Sequence, residues 1–325
     1  MKILFIGGTG IISSACSDLA VAQGHDLTIL NRGQTDRPVP SGATLIHSDI
    51  RDLSATAAAL GDRTFDVVVN WVAYAPEHIE TDLALFSSRT AQYVFISSAS
   101  AYQKPIPFPI VEETPLSNPL WGYSQQKIAC EQTLMHAYEE SRFPVTIVRP
   151  SHTYDKRSIP FHGRWTFVDR IQRGRPIIIH GDGTSLWTLT HHRDFAVGFC
   201  GLLGNPQAIG EAIHITSDEW LTWDAIAGLF GAAVGMEPEI VHVPSDTINR
   251  YDADWGVSLL ADKAHTTVFD NAKIKRLVPE YDAQIPFAEG AVEIVNWYNA
   301  NPQAKQINES YNELVDRIIA AQLAI

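Results

Sequence analysis

The sequence has few cysteines and fewer basic than acidic residues, and each shortage excludes a class of protein. Its three cysteines, Cys16, Cys130 and Cys200, follow no metal-binding or redox spacing. We therefore expect no disulfide framework, as is usual in a reducing cytoplasm. Lysines and arginines number 24 against 37 acidic residues, so the net charge is −13. A chain this acidic is not expected to bind nucleic acid or an anionic membrane, because both bind basic surfaces.

Long apolar runs and metal-ligand clusters are also missing. No apolar run reaches the length that a membrane-spanning helix needs. A predicted strand begins at Lys2, so we expect no signal peptide and a cytoplasmic location. The adjacent His191 and His192 would diverge on a strand or helix, and no cysteine pattern accompanies them, so no metal site is predicted.

A glycine-rich turn near the start is the most informative feature that the sequence does contain. An apolar run at residues 3–6 leads into Gly-Gly-Thr-Gly at residues 7–10, and a helical pattern follows over residues 11–23. Gly7 allows a sharp turn, and Gly10 lets a pyrophosphate approach the backbone. The free N–H groups and the positive dipole end of the helix would face the phosphates. Strand, turn and helix together predict a nucleotide cofactor site.

The end of the second predicted strand, residues 26–30, bears on the choice between NAD and NADP. In dinucleotide-binding folds, an acidic residue here accepts hydrogen bonds from the adenosine ribose and repels a 2′-phosphate. This chain has Asn31 instead, with Arg32 beside it and Arg37 in the next loop. The missing carboxylate and the added cations favour NADP, with NAD as the alternative.

Two further segments are predicted to contact the cofactor. Asp49 follows the third predicted strand and is expected to accept a hydrogen bond from the adenine amino group, while Ile50 packs on the ring. The Trp-Val-Ala segment at residues 71–73 follows the fourth predicted strand and is expected to form an apolar wall beside the cofactor.

Strands and helices alternate along the first half of the chain, which specifies a parallel, doubly wound sheet of the Rossmann type. We predict an α/β protein with a cofactor-binding domain at residues 1–150 and a smaller substrate-binding α/β domain at residues 151–325. The segment at about residues 191–216 is expected to return to the first domain. The predicted strands lie at residues 3–6, 26–30, 43–47, 65–70 and 92–97, with short strands at 176–180 and 186–190, and the predicted helices at residues 11–23, 53–60 and 77–88.

Residues suited to acid–base chemistry follow the fifth predicted strand. Ser98 comes at its carboxyl end, where open α/β sheets place reactive groups. Tyr123 and Lys127 are four residues apart in a helical pattern, so they share one face of the helix. An ammonium beside a phenol stabilises the phenolate, so Lys127 is predicted to lower the pKa of Tyr123. Tyr123 could then exchange a proton with a carbinol oxygen that Ser98 holds by a hydrogen bond.

Together these segments resemble the extended short-chain dehydrogenase/reductases, the NAD-dependent epimerase/dehydratase family. The resemblance covers essentially the whole chain and implies that Ser98, Tyr123 and Lys127 are catalytic, that a hydride is transferred at the nicotinamide, and that the protein is a homodimer. The matching segments are Gly7-Gly8-Thr9-Gly10, Asp49-Ile50, Ser97-Ser98, Tyr123-Ser124-Gln125-Gln126-Lys127, Val148-Arg149-Pro150-Ser151, Gly181-Asp182-Gly183-Thr184 and Arg193-Asp194-Phe195-Ala196. The cofactor-binding residues predicted in total are Gly7, Thr9, Gly10, Ile11, Ile12, Asn31, Arg32, Asp49, Ile50, Trp71, Val72, Ala73, Ser97, Tyr123, Lys127, Pro150 and His152.

The chain also departs from the family pattern. Ala99 and Ser100 follow Ser98, where the family's sugar-nucleotide 4,6-dehydratases carry an acidic pair, so elimination chemistry lacks its acid and base. The crossover between residues 70 and 98 is shorter than in most of the family, so the helix that usually supplies an asparagine to the proton relay is cut down. This leaves the water or backbone partner of Lys127 unassigned. The loop at residues 31–33 and this short crossover also resemble a branch that includes chloroplast RNA-associated proteins.

The substrate is expected to be a small hydroxylated molecule, either a free sugar derivative or a carbonyl compound. Family members that bind nucleotide sugars usually hold the diphosphate with arginines, whereas this chain has Trp187 at one such position and no arginine at residues 258–262. A diphosphate without cations would be held poorly. The predicted substrate-binding residues are Ser98, Ser100, Tyr123, His152, Arg164, Trp165 and Trp187.

Three classes of function fit the sequence. The first is an NAD(P)-dependent oxidoreductase or epimerase acting on a sugar-like molecule, with a nucleotide-sugar 4-epimerase as an alternative within it. The second is a non-catalytic, NAD(P)-bound regulator, and the third an RNA-associated protein. The set of Ser98, Tyr123 and Lys127 favours the enzyme, and the net charge of −13 disfavours the RNA-associated protein.

Overall fold

Seven parallel strands form the central sheet of the computed structural model, which describes residues 1–324. The strands are β1 (Lys2–Ile6), β2 (Asp26–Asn31), β3 (Thr44–His47), β4 (Phe65–Asn70), β5 (Thr90–Ile96), β6 (Val145–Pro150), β7 (His152–Tyr154), β8 (Ile177–His180), β9 (Leu186–Trp187), β10 (Leu189–His191), β11 (Ala212–Ile215), β12 (Leu221–Thr222) and β13 (Ile240–Val243). The order in the central sheet is β3-β2-β1-β4-β5-β6-β11. Because the order reverses between β1 and β4, a crevice opens at their carboxyl ends, where such folds bind ligands.

Helices cover both faces of this sheet, because its strands are apolar on both sides. The helices are α1 (Ile11–Ala22), α2 (Leu53–Leu60), α3 (Pro76–Phe86), α4 (Gly122–Ser141), α5 (Trp165–Gln172), α6 (His192–Leu202), α7 (Trp223–Val234), α8 (Ser245–Tyr251), α9 (Ala253–Ser258), α10 (Ala272–Leu277), α11 (Phe287–Ala300) and α12 (Glu309–Leu323). On one face, α1 packs against α6, and on the other α3 packs against α4. Each pair closes a buried core against the sheet.

The predicted fold class is confirmed: an α/β protein with a doubly wound parallel sheet. The predicted bounds of α2 and β4 agree with the structure. The fifth strand instead begins at Thr90 and ends at Ile96, so Ser97 lies in the loop after it. The strand predicted at residues 186–190 is interrupted at Thr188, because β9 pairs with β12 while β10 pairs with β7.

The segment after residue 191 lies with the central sheet. Helix α6 packs against α1, and β11 pairs in parallel with β6 at the edge of the sheet. The chain therefore completes the sheet only after passing through β7 to β10.

Short two-stranded sheets and helices form the smaller domain. Strands β8 and β13 pair in parallel, and α5, α7 and α11 enclose one apolar core. A second core lies between α8, α9 and α12. A single π-helical turn, Leu259–Lys263, follows α9 directly. Within residues 1–324, no helix is long and apolar enough to cross a membrane, and no three histidine, cysteine or acidic side chains are grouped as metal ligands would be.

Candidate functional site

The glycine turn between β1 and α1 has the geometry that the sequence predicts. Gly7 and Gly8 have φ values of +106° and +85°, a region that residues with a Cβ rarely occupy. A Cβ at Gly7 would lie 3.1 Å from Cβ of Trp71. The N–H of Gly10 donates to Oγ of Ser13 at 2.7 Å, which closes the turn against the first turn of α1. The helix N-terminus therefore faces the crevice at the end of β1, where a phosphate would be stabilised.

A cleft of about 440 Å³ runs from this turn to the ends of β2 and β3. Its walls are formed by Ile6, Gly7, Thr9, Leu30, Asn31, Arg32, Gln34, Thr35, Ser48, Asp49, Ile50, Arg51, Val72, Tyr74 and His78. Seven of the predicted cofactor residues are among them, namely Gly7, Thr9, Asn31, Arg32, Asp49, Ile50 and Val72. Sequence analysis missed Gln34 and Thr35, although they continue the loop of Asn31, and Tyr74, although it continues the predicted apolar wall.

Trp71 does not line the cleft as the sequence predicted. Its side chain is 9% exposed and packs against the rings of Phe5 and Phe199, at centroid distances of 5.4 Å and 4.7 Å. The indole therefore packs in the core between the glycine turn and α6. A large apolar ring is better accommodated there than beside a polar ligand.

Of Arg32 and Arg37, the two arginines that the sequence places after β2, only Arg32 is available to a cofactor in the cleft. The guanidinium of Arg32 is 59% exposed and lies 3.8 Å from the carboxylate of Asp49. Arg37 instead forms a 2.5 Å ion pair with Asp155, whose side chain is only 1% exposed. The expectation that both arginines offer charge to the ribose is therefore wrong for Arg37. The amide oxygen of Asn31 accepts a hydrogen bond from the N–H of Gly33 at 2.9 Å.

The predicted catalytic residues lie together at the carboxyl end of β5. Ser98 follows the strand by two residues, and α4 begins at Gly122, so Tyr123 stands in its first turn. Oγ of Ser98 lies 2.9 Å from Oγ of Ser100, which in turn accepts from the hydroxyl of Ser124 at 2.9 Å. A chain of three hydroxyls therefore joins the loop after β5 to the catalytic helix.

Lys127 is held by the backbone of the sheet. Its side chain is buried, and Nζ donates to the carbonyl oxygens of Ala73 and Ile96, at 2.7 Å each. The ammonium also lies 4.6 Å from the ring centroid of Tyr74. Burial lowers the pKa of Lys127 to about 8. These two carbonyls are therefore the backbone partners of Lys127, which the sequence alone left unassigned.

The predicted lowering of the Tyr123 pKa is wrong. Burial of the phenol raises its pKa to about 12, although the Ser98 hydroxyl acts in the opposite direction. Lys127 does not offset this, because its ammonium is directed at the two carbonyls and lies 5.8 Å from the ring centroid of Tyr123. The ring of Tyr123 stands 5.3 Å from that of Trp121 and 6.5 Å from that of Tyr74.

A pocket of about 180 Å³ adjoins Ser98 and brings several predicted substrate residues together. Nε1 of Trp187 donates to Nδ1 of His152 at 2.9 Å, so the imidazole is an acceptor and neutral. Burial, with a smaller contribution from the Lys263 ammonium, lowers the pKa of His152 to about 3. The pocket is lined by Ser98, Ala99, Ser100, Trp121, Pro150, Ser151, His152, Trp187, Thr188, Asp262, Lys263, Thr267 and Phe269.

Asp262 and Lys263 are wall residues that sequence analysis missed. They come from the π-helical turn after α9, whose backbone is fixed because Nε1 of Trp223 and Nε2 of His180 both donate to the carbonyl of Lys263, at 3.0 Å each. Asp262 pairs with Lys104 at 3.3 Å. No local sequence signal marks these positions, because they meet Ser98 only through the fold of the smaller domain.

A larger cavity of about 930 Å³ continues from this pocket into the smaller domain. The two share His152 and Lys263, and Arg164 lies in the wall of the larger cavity. Within residues 1–324, no carboxylate lies within ion-pairing distance of either cation. The imidazole of His162 stacks on Trp255 in the wall, with ring centroids 4.9 Å apart.

Trp165 does not line either cavity, contrary to the prediction from its place after a polar loop. It is 3% exposed and stacks on Tyr298, with ring centroids 4.7 Å apart, in the core between α5 and α11. The chain turns sharply at Arg164, which has a φ of +50°. Arg164 therefore borders the cavity while the next side chain enters the core.

Known proteins resemble the chain over most of its length. A sequence model of the NAD dependent epimerase/dehydratase family matches residues 3–216. The chloroplast stem-loop binding protein of 41 kDa b from Arabidopsis thaliana is 29% identical over 255 residues, which are 74% of this chain and 65% of that protein. The 2′-dehydrokanamycin reductase of Streptomyces kanamyceticus is 24% identical over 296 residues, which are 86% of this chain and 80% of that one.

Solved structures share the fold. The crystal structure of dTDP-glucose 4,6-dehydratase from Bacillus anthracis in complex with NAD superposes with a TM-score of 0.73 at 19% identity, covering 93% of this chain and 98% of that one. At this level of identity, the similarity establishes a shared architecture.

Proposed function

Because the chain belongs to the NAD-dependent epimerase/dehydratase family, we propose that it is an NAD(P)-dependent oxidoreductase or epimerase acting on a carbinol or carbonyl of a sugar-like molecule. One observation carries the proposal. The ring of Tyr123 stands between those of Tyr74, which lines the 440 Å³ cleft, and Trp121, which lines the pocket at Ser98. A proton donor at the junction of a dinucleotide cleft and a substrate pocket is what hydride-transfer chemistry requires.

The residues of the cleft fit a nicotinamide dinucleotide. The glycine turn and the N-terminus of α1 would hold its pyrophosphate, Asp49 and Ile50 its adenine, and Lys127 and Tyr74 would lie near its nicotinamide end. Such a cofactor would supply a hydride acceptor or donor for the reacting carbon.

Each catalytic side chain has a separate task in this proposal. Tyr123 would donate a proton to the substrate oxygen as a carbonyl is reduced, or accept one as a carbinol is oxidised. Ser98 would hold the same oxygen through its hydroxyl, which is oriented by Ser100. With a pKa of about 12, the Tyr123 phenol is protonated at neutral pH, which suits it to act as the acid when a carbonyl is reduced. Lys127 would hold the loop after β4 and the end of β5 together next to Tyr123, through its hydrogen bonds to the two carbonyls.

We propose NADP rather than NAD as the preferred cofactor. Asn31 removes the carboxylate that would repel a 2′-phosphate, and the exposed guanidinium of Arg32 lies at the same end of the cleft. Gln34 and Thr35 add neutral hydrogen-bonding groups there. The Bacillus anthracis dehydratase was solved with NAD, so the preference for NADP rests on these residues of the present chain alone.

The pocket beside Ser98 suits a single hydroxylated ring. At about 180 Å³ it is small, and His152, Trp187 and Ser100 would contact a sugar through two polar groups and an aromatic edge. Asp262 adds a carboxylate that can accept from sugar hydroxyls. We therefore propose a free sugar derivative or a related carbonyl compound as the substrate.

The adjoining cavity favours one alternative, a nucleotide sugar. Its volume of about 930 Å³ exceeds the needs of a single ring, and Arg164 and Lys263 offer cations to a diphosphate. The expected lack of arginines for a diphosphate is thus partly compensated by residues from elsewhere in the chain. RNA association, which the name of the Arabidopsis relative indicates for that protein, is not proposed here because the net charge is −13. The homodimer stays a prediction.

Calorimetric titration distinguishes the two substrate classes. The holo-protein is titrated with UDP, dTDP and GDP, with their glucose conjugates and with free glucose and galactose. The proposal expects binding of free sugars or their derivatives and no micromolar binding of any nucleotide. Micromolar binding of a nucleotide that is weakened in Lys263→Gln would establish the alternative, with Lys275→Gln, which alters a surface ion pair with Asp218, as the matched control.

A further inference from the structure

The loop that follows β2 is tied to the loop that follows β7 by two ion pairs. The guanidinium of Arg37 lies 2.5 Å from Oδ2 of Asp155. In the second pair, Nη1 of Arg157 donates to both carboxylate oxygens of Asp36, at 2.9 Å and 2.8 Å. Each loop therefore contributes one aspartate and one arginine, and each of these pairs with the residue of opposite charge on the other loop.

The Asp155 side of this contact is fixed to the smaller domain. The carboxylate of Asp155 also accepts from the hydroxyl of Ser158 at 2.6 Å and from the N–H of Arg157 at 3.0 Å. Burial by itself would raise the pKa of Asp155, but the nearby Arg37 guanidinium and the hydrogen bond from Ser158 outweigh it and the pKa is lowered. The guanidinium of Arg157 stacks over Trp297 of α11, 5.2 Å from its ring centroid. This side is therefore a rigid support.

The other side belongs to the cofactor cleft. Gln34 and Thr35, which line the cleft, immediately precede Asp36 and Arg37. The N–H of Arg37 donates to Oγ1 of Thr35 at 2.9 Å. This hydrogen bond ties Thr35, which lines the cleft, to Arg37, which forms the ion pair. On the Asp155 side of the contact, β7 packs against α1 and begins at His152, which lines the pocket beside Ser98. The ion pairs therefore join the adenosine end of the cleft to the strand that leads to the substrate.

We propose that Asp36, Arg37, Asp155 and Arg157 form a latch that holds the loop after β2 closed over the bound dinucleotide and slows its release. The inference rests on the proposed binding of a nicotinamide dinucleotide in the 440 Å³ cleft.

The two pairs contribute differently to the latch. Arg37 and Asp155 are 17% and 1% exposed, so removing the guanidinium leaves a buried carboxylate without its partner. Asp36 is 82% exposed, so its pair with Arg157 is screened by salt and contributes less. Opening of the loop should therefore depend strongly on Arg37 and weakly on Asp36.

Stopped-flow release of the reduced cofactor tests the latch. Protein loaded with NADPH, or with NADH if that binds more tightly, is mixed with a large excess of the oxidised form, and the loss of bound nicotinamide fluorescence gives the dissociation rate. We expect Arg37→Gln to release the cofactor about tenfold faster or more, the factor that corresponds to about 1.4 kcal/mol. Asp36→Asn, which leaves the buried pair intact, should accelerate release about twofold, and added salt should remove that difference.

Two controls make the result decisive. Arg175→Gln removes a more exposed arginine–aspartate pair, with Asp316 on α12, that does not line the cleft, and should leave release unchanged. If Arg37→Gln does not fold, as judged by circular dichroism, Asp36→Asn and the salt dependence of the wild type decide the matter. Release rates within experimental error of the wild type in the folded latch variants would overturn the latch alone. Failure of the wild-type protein to bind either reduced dinucleotide would overturn the proposed function and the latch with it.

Discussion

Replacing Lys127 by methionine should change how the stability of the protein depends on pH. The ammonium is buried, and burial lowers its pKa from the ordinary 10.5 to about 8. Between those two values, the unfolded chain holds a proton at this lysine that the folded chain has lost. Stability therefore rises with pH across this window, by about 1.4 kcal/mol per unit and by roughly 3 kcal/mol in total. Below pH 8 the folded protein carries the full cost of the buried charge.

The methionine side chain of this variant has no proton to lose, so the wild-type contribution between pH 8 and 10.5 disappears. The difference in free energy of unfolding, wild type minus Lys127→Met, should grow in favour of the wild type by roughly 3 kcal/mol over that window. The carbonyls of Ala73 and Ile96 lose their donor in the variant at every pH, which adds an offset without a slope. Subtracting the two curves cancels the titration of groups that do not interact with Lys127; Cys130, whose thiol pKa the lysine lowers, is not one of them.

Urea unfolding of both proteins at half-unit steps of pH, followed by circular dichroism, gives this difference directly. Lys275→Met, at an exposed lysine paired with Asp218, is the matched control and should show no such slope. A difference curve for Lys127→Met that is flat from pH 8 to 10.5 would refute the assignment of a buried, depressed lysine. A slope confined to higher pH would show that the ammonium is better solvated than its two carbonyl contacts indicate.

The remaining predictions concern the support of the site and the choice of cofactor. Burial raises the pKa of Asp82 to about 6, so the free energy of unfolding of the wild type relative to Asp82→Asn should fall by roughly 3 kcal/mol as pH rises from 4 to 6 in the same urea assay. Gly163→Ala should cost about 3 kcal/mol or more, because a Cβ there would overlap the ring of Tyr311, whereas Gly174→Ala, with a positive φ but open space, should cost about 1–2 kcal/mol; equal thermal shifts would contradict the packing. Arg32→Ala should reduce a preference for NADPH over NADH in fluorescence titrations about tenfold while leaving NADH binding nearly unchanged, and a wild-type preference for NADH would show the interpretation of Asn31 and Arg32 to be incorrect.

The cofactor-binding half of the molecule could be predicted from the sequence, because its site residues belong to short-range sequence patterns. The glycine turn, the alternation of strands and helices, and the spacing of Tyr123 and Lys127 are all short-range signals, and each corresponds to an element of the structure. Ser98 could be placed because the carboxyl end of a parallel strand fixes its edge of the sheet. These residues require only that neighbouring segments fold as their own patterns dictate.

The parts that could not be predicted depend on contacts between distant segments. Arg37 pairs with Asp155, which lies far along the chain, so its availability to a cofactor cannot be judged from its loop. Lys263 reaches the pocket through a π-helical turn whose carbonyl is fixed by His180 and Trp223. Burial also reversed the pKa prediction for Tyr123, because desolvation of the phenol outweighs a lysine whose donors are used elsewhere.

Transient absorbance of the nicotinamide in wild type and Tyr123→Phe tests the central claim most directly. Protein loaded with its preferred oxidised cofactor is mixed with a panel of free sugars and nucleotide sugars, and formation of the reduced nicotinamide is followed in a single turnover. The phenyl ring retains the contacts with Trp121 and Tyr74 but has no proton to transfer. The account predicts that a carbinol substrate reduces the cofactor on the wild type, and that the variant is slower by roughly 10²–10⁴-fold while it binds the cofactor equally well. Equal rates in the two proteins would contradict it.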